Sequence, residues 1–139
     1  MPRDIDGRDD PDRFLEKYAH PRSEAARQVE RAVLGREVGL SGYTTIEQAQ
    51  TLGDQLSLLP GSRLLDVGAG RGWPGSYLAQ SSGCHLVASD VPLDALRAAG
   101  DFLQRDAPRG KADAVSADGR ALPFRPACFD AVVHADVFC

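Results

Sequence analysis

Asp66, Asp90 and Asp118 each stand at the end of an apolar stretch, and the first is followed by glycines at alternating positions, Gly68, Gly70 and Gly72. A carboxylate only accepts hydrogen bonds, so three such acids suit a ligand rich in hydroxyl and amine donors. The glycines, with Ala69 between them, take backbone angles forbidden to a Cβ and let the main chain approach a ligand closely. Asp90 lies twenty residues after Gly70. A carboxylate at that place accepts two hydrogen bonds from the vicinal hydroxyls of a ribose, and Val91 follows it in the same candidate set. A helix cap is the competing role for Asp90, since Pro92-Leu93-Asp94 opens a helix pattern. A turn-stabilising role competes in the same way for Asp118 before Gly119.

These residues need a scaffold that brings strand ends together. Arg63–Val67 reads as a buried strand that turns through the glycines into a helix over residues 74–82, closed by Gly83. His85–Asp90 reads as a second strand and residues 93–104 as a second helix, with Leu93, Leu96, Ala99 and Leu103 on one face. A turn at Pro108-Arg109-Gly110, a third strand over residues 112–117 and a fourth in Phe129–His134 complete the pattern. Strands alternating with helices predict a parallel α/β sheet with its ligand at the carboxyl ends of the strands.

Upstream, residues 1–12 read as a charged arm and residues 13–60 as helices. A short helix over residues 12–19 turns Phe14, Leu15 and Tyr18 inward. A second starts at Pro21-Arg22-Ser23, with Ala25, Ala26, Val29, Ala32 and Val33 at helical spacing. In a third, Ile46, Ala49, Leu52, Leu56 and Leu59 form a stripe ended by Pro60-Gly61. A capping box starts it, either Thr44 with Glu47 or Thr45 with Gln48. Arg22, Arg27, Arg31 and Arg36 line the second helix, as a solvated face or as an anion-binding one.

The chain has 139 residues, 16 basic and 20 acidic, for a net charge of −4. That balance argues against broad attraction to nucleic acid, and no apolar run is long enough to span a bilayer. Three cysteines, Cys84, Cys128 and Cys139, without a close pair, read as reduced thiols in a cytoplasmic protein. His20, His85 and His134 are scattered, so no metal site is expected.

Gly70-Arg71-Gly72-Trp73-Pro74-Gly75 formally fits the dinucleotide fingerprint G-x-G-x-x-G. A pyrophosphate, however, needs an open helix N-terminus at close range, and Trp73 sits where the helix opens. Asp66-Val67-Gly68-Ala69-Gly70-Arg71-Gly72 resembles the first motif of the class I S-adenosylmethionine-dependent methyltransferases. Asp118-Gly119, Leu122-Pro123-Phe124 and Phe129-Asp130-Ala131-Val132-Val133 resemble later motifs of the same family. The resemblance covers residues 43–138 and implies a Rossmann-like three-layer α/β fold with strand order 3-2-1-4, an N-terminal helical cap, and a cofactor-binding half over residues 61–139. It implies S-adenosylmethionine as cofactor and S-adenosylhomocysteine as product. Gly68, Ala69, Gly70 and Gly72 would hold the methionine part, and Asp66 would support the loop and the amino end. Asp90 with Val91 would take the ribose, and Asp118 with Gly119 the adenine. Tyr43 would lie in the cap over the cofactor, or be a packing aromatic. His134 would leave the fourth strand near the methyl group, as a base or as a structural residue.

The implied function is methyl transfer to a small-molecule or lipid acceptor. The other readings are a cofactor-binding or interaction module without turnover, and a nicotinamide-dependent oxidoreductase fragment. The family has seven strands and this sequence ends after the fourth. The expectation is therefore a truncated chain, or a second copy or partner covering the fourth-strand edge.

Overall fold

The structure, a computed structural model, describes residues 20–40, 42–106 and 111–135, together with residues 16 and 137. The expected arm, the helix carrying Phe14, Leu15 and Tyr18, the turn at residues 108–110 and Cys139 lie outside the described residues.

Two helices precede the sheet. Helix α1 (Glu24–Leu34) starts at Ser23, whose hydroxyl accepts from the Ala26 N–H at 3.2 Å. It ends at Gly35, left-handed at φ 72°. Helix α2 (Ile46–Leu56) starts on the Thr45/Gln48 capping box, with both reciprocal bonds formed. Then follow β1 (Arg63–Val67), α3 (Gly75–Ser82), β2 (His85–Asp90), α4 (Leu93–Asp106), β3 (Ala112–Ser116) and β4 (Ala131–His134). The strands form one parallel sheet in the order β3-β2-β1-β4, as expected.

Alternation along the strands sends Leu64 and Leu86 to one face, where they pack with Val133 of β4, Leu78 and Ala79 of α3 and Leu103 of α4. Leu65, Val67 and Val87 face the other way, onto Val115, Leu122, Phe124 and Phe129. Phe124 and Phe129 meet edge to face at 5.0 Å. The Leu-Pro-Phe and Phe-Asp elements thus cover the face opposite α3 and α4. Asp130 also ties β4 to the start of β1, its carboxylate accepting from the Arg63 N–H at 2.7 Å.

The structure corrects one expectation, the end of the third helix, and adds two findings on α1. The stripe Ala25, Ala26, Val29, Ala32 and Val33 of α1 is exposed, Val29 by 63% and Val33 by 73%. The buried residue of this helix is Glu30, whose carboxylate accepts from the backbone N–H groups of Val38, Gly39 and Leu40 and pairs with Arg22. Satisfying those buried donors sets which way α1 faces. The third helix of the expectation, α2, stops at Leu56, because Ser57 turns left-handed at φ 50°. Leu58 is then buried and Leu59 is 66% exposed. The arginines of the α1 region are committed within the chain. Arg27 and Arg31 pair with Glu24, Arg31 also with Glu37, and Arg36 bonds Gln80 and lies over the Tyr77 ring.

Candidate functional site

The parallel register sets Val67, Ser89 and His134 side by side, with Asp90 opposite Ser116 at the same end of the sheet. The glycine loop leaves β1 here and is bonded to β2 from below. Gly68 and Ala69 donate to the Ser89 carbonyl at 2.7 and 3.0 Å, and Gly70 donates to Asp90 Oδ2 at 2.7 Å. Gly68 and Gly72, at φ +71° and +102°, lie in the left-handed region, where a side chain is strained. A Cβ on Gly68 would collide with the Val137 side chain.

The first two acids look alike in sequence and have different surroundings. Asp66 is buried beneath the loop, 1% exposed. Its Oδ2 accepts from the Gly75 N–H at 3.1 Å, and its Oδ1 has no partner among the described residues. Burial pushes its pKa well above the usual carboxylate range. The Gly75 N–H opposes this, and the nearby Asp90 charge adds to it. The neutral acid is therefore favoured in the fold, and ionising Asp66 costs stability as pH rises above the ordinary range. Its place also closes the helix N-terminus. The Gly75 N–H is taken by this acid and the Ser76 N–H by the Gly72 carbonyl, so the first donors of α3 are spent within the chain. A phosphate there would meet a carboxyl group instead of free N–H groups.

Asp90 is at the rim, 8% exposed. Its Oδ2 accepts from Gly70 and its Oδ1 from the Val91 N–H, both at 2.7 Å. A carboxylate has about four acceptor sites, so each oxygen keeps one for a ligand donor. Val91 beside it is 59% exposed, an apolar surface at the mouth of the site.

The Ala117 N–H donates to the Asp90 carbonyl and Ser116 Oγ to the Val91 carbonyl, which brings Asp118-Gly119 next to this pair. Gly119 comes close to β1, since a Cβ there would stand 3.2 Å from Val67 Cγ1. The Asp118 carboxylate receives the Arg120 guanidinium and the Arg120 N–H, and this pairing lowers its pKa from 3.8 to about 2. Arg120→Ala is expected to return the Asp118 midpoint toward 3.8. An NMR carboxyl titration reads it, and a midpoint still near 2 in the variant would contradict the pairing. The sign follows from the lowered value. Any stability from this exposed pair is present above the unfolded pKa and lost as pH falls toward 2.

Asp66, Gly68, Ala69, Gly70, Gly72, Asp90, Val91 and Gly119 thus converge on one sheet end, with Asp118 adjoining. His134 is exposed at the end of β4, in register with Val67. Tyr43 is 87% exposed and borders a groove of about 530 Å³ along α2, with Thr44, Glu47, Gln48, Thr51 and Leu52. Ser89, Arg71, Trp73 and Val137 were not among the residues expected at the site. Ser89 acts through its carbonyl, which no side-chain pattern reports. Trp73 is 3% exposed, and its Nε1–H donates to the Thr44 carbonyl at 3.0 Å. An indole directly after a glycine run was the available signal.

Residues 64–139 match a methyltransferase domain. This chain belongs to that family. Over 78 residues it is 42% identical to a demethylmenaquinone methyltransferase of Corynebacterium urealyticum, matching 56% of this chain and 30% of the relative. An S-adenosylmethionine-dependent methyltransferase of Thiobacillus denitrificans, solved with S-adenosylhomocysteine, shares the fold. The TM-score is 0.52 at 22% identity, covering 71% of this chain and 38% of that one. So does the cyclase SpnF, with a TM-score of 0.54 at 24% identity, covering 81% and 48%. The chain therefore spans less than half the length of these methyltransferase-fold relatives. Among its described residues, no helix is long and apolar enough to cross a membrane.

Proposed function

We propose that this methyltransferase-family chain is the cofactor-binding part of an enzyme that methylates a small-molecule or lipid acceptor from S-adenosylmethionine. The observation that carries the reading is Asp90, which holds Gly70 and Val91 with one acceptor site on each oxygen and keeps the others at the rim. The residues fit the cofactor. Asp90 accepts from the ribose hydroxyls, Val91 offers its exposed face to the adenine ring, and Asp118 with Gly119 lies at the adenine edge. Gly68, Ala69, Gly70 and Gly72 present backbone to the methionine part, while Asp66 supports that loop from beneath. Tyr43 serves in the cap and His134 near the transferred methyl.

When bound, S-adenosylmethionine supplies an activated methyl group for in-line displacement. The protein's share is to position donor against acceptor. A lipid or small-molecule acceptor is favoured because the similar Corynebacterium protein is a demethylmenaquinone methyltransferase. A dinucleotide is disfavoured because Asp66 occupies the helix start that a pyrophosphate requires. An arm over residues 1–12, a cap over 13–60 and a cofactor half over 61–139 belong to the same reading. So does a cytoplasmic setting, which the free thiols of Cys84 and Cys128 suit. The flank of β4 away from β1, where Val132 is 55% exposed, is covered by further strands of a longer chain, or by a second copy or a partner. A monomeric sedimentation profile at high concentration would remove the second copy from this reading.

The other reading is a cofactor-binding module without turnover, and the fold alone does not choose between them. Calorimetric titration with S-adenosylmethionine, S-adenosylhomocysteine and NAD tests the cofactor. Binding of the first two and not of NAD is expected, and binding of NAD alone would overturn the assignment. Turnover that appears only with added C-terminal sequence would separate an enzyme part from a silent module.

A further inference from the structure

Two side chains of the glycine loop, on either side of Gly72, reach out of the loop and hold the segment that precedes the sheet. The Arg71 guanidinium donates to the His20 carbonyl, before α1. The Trp73 indole N–H donates at 3.0 Å to the carbonyl of Thr44, the residue after Tyr43. Between these ties, Glu30 gathers the backbone of Val38, Gly39 and Leu40. The Trp73 indole packs with Val38 and Ala49 and with the partly buried Leu34, Leu40 and Ile46, and its centroid is 5.7 Å from that of Tyr77. The Thr44 carbonyl stands where α2 begins on its Thr45/Gln48 capping box, and Gly42, at φ 74°, makes the bend just before Tyr43. One buried indole thus bridges the backbone next to Gly72 and the carbonyl next to Tyr43.

We propose that Trp73 is a positioning residue that couples the glycine loop to the Tyr43 segment, so that cofactor binding at the loop and ordering of that segment are one event. The coupling rests on the cofactor reading above. It asks more of Trp73 than packing. An aromatic ring without the N–H would fill the same space but release Thr44.

Trp73 is the single tryptophan of the chain, so its fluorescence reports the joint directly. Titrating the protein with S-adenosylhomocysteine is expected to shift the Trp73 emission and to slow amide hydrogen exchange at residues 42–45. Trp73→Phe is expected to weaken S-adenosylhomocysteine binding about 3- to 10-fold, the share of one neutral hydrogen bond, and to leave residues 42–45 exchanging fast even at saturation. Tyr43→Ala should weaken binding in the wild type and have little further effect in the Trp73→Phe background. Because Trp73→Phe also changes ring size, the chain is to be made in parallel with benzothienylalanine, the sulfur isostere that lacks only the donor. It should reproduce the Phe result in both binding and exchange. Additive losses for Trp73→Phe and Tyr43→Ala, or full protection of residues 42–45 with the isostere, would overturn the coupling while the cofactor reading stands. A folded wild type that does not bind S-adenosylhomocysteine would overturn the cofactor reading, and the coupling with it.

Discussion

Asp90→Ala is expected to weaken S-adenosylhomocysteine binding by about 100-fold or more. Two effects act together. The variant removes the acceptor for the ligand hydroxyls, where each charge-assisted hydrogen bond is worth about 1.5–3 kcal/mol. It also frees the N–H groups of Gly70 and Val91, now held at 2.7 Å each, so the loop keeps only its Gly68 and Ala69 bonds to β2. Asp90→Asn separates the two. The amide keeps one acceptor oxygen for a loop N–H but loses the charge and the second acceptor, so an intermediate loss is expected. Calorimetry on the folded variants reads both. An Asp90→Ala protein that binds within a few-fold of the wild type would rule out a ligand role for this carboxylate.

The largest effect on stability is expected at Glu30, the buried acid of α1. Its side chain is 3% exposed, against 21% for Arg22, its ion-pair partner. Burial opposes the charge, yet the Arg22 guanidinium and the N–H groups of Leu40 and Gly39 hold its pKa below the usual range. Glu30→Ala leaves a largely buried guanidinium and three backbone donors without their acceptor. Breaking a buried pair by removing one partner costs about 3–5 kcal/mol, and a loss of about 3 kcal/mol is expected in urea unfolding at neutral pH. The pH dependence carries a sign. Because the folded pKa is lowered, the contribution of Glu30 is present above the unfolded value near 4.5 and is lost as pH falls through the folded one. The gap between wild type and Glu30→Ala should therefore narrow in acid. A gap of equal size at pH 7 and well below the folded value would mean that packing, not charge, is what Glu30 supplies.

Much of this protein is written in local pattern. The runs at Leu64-Leu65 and Leu86-Val87-Ala88, the glycine turn after Val67 and Gly83 after α3 specify β-α-β units by periodicity and turn chemistry alone. The strand order is implied by the family resemblance and not by this pattern, because right-handed parallel crossovers still leave several orders open. The position of the site is also local in origin, since loops at the carboxyl ends of parallel strands meet at one edge.

What local pattern leaves open is the direction in which a group faces and which partner it finds. The Ala25, Val29, Ala32 and Val33 stripe has the spacing of a buried face. It is solvent-facing because α1 is oriented by the hydrogen bonds of Glu30 to a turn eight to ten residues further on. Asp66 and Asp90 are both strand-end acids in sequence. Only tertiary packing puts the first under Gly75, where burial favours its neutral form, and the second at the rim with acceptor sites to spare. Asp118 reads as an acid before glycine, and the fold of its turn delivers Arg120 onto it. The sequence by itself determined the sheet, the glycine loop and the family. The tertiary structure decided which strand-end acid is buried and which lies at the rim, which helix face is inside, and that Trp73 joins the loop to the Thr44 carbonyl. Periodicity records how often a residue type recurs along an element, but burial and hydrogen-bond partnership depend on atoms distant in sequence.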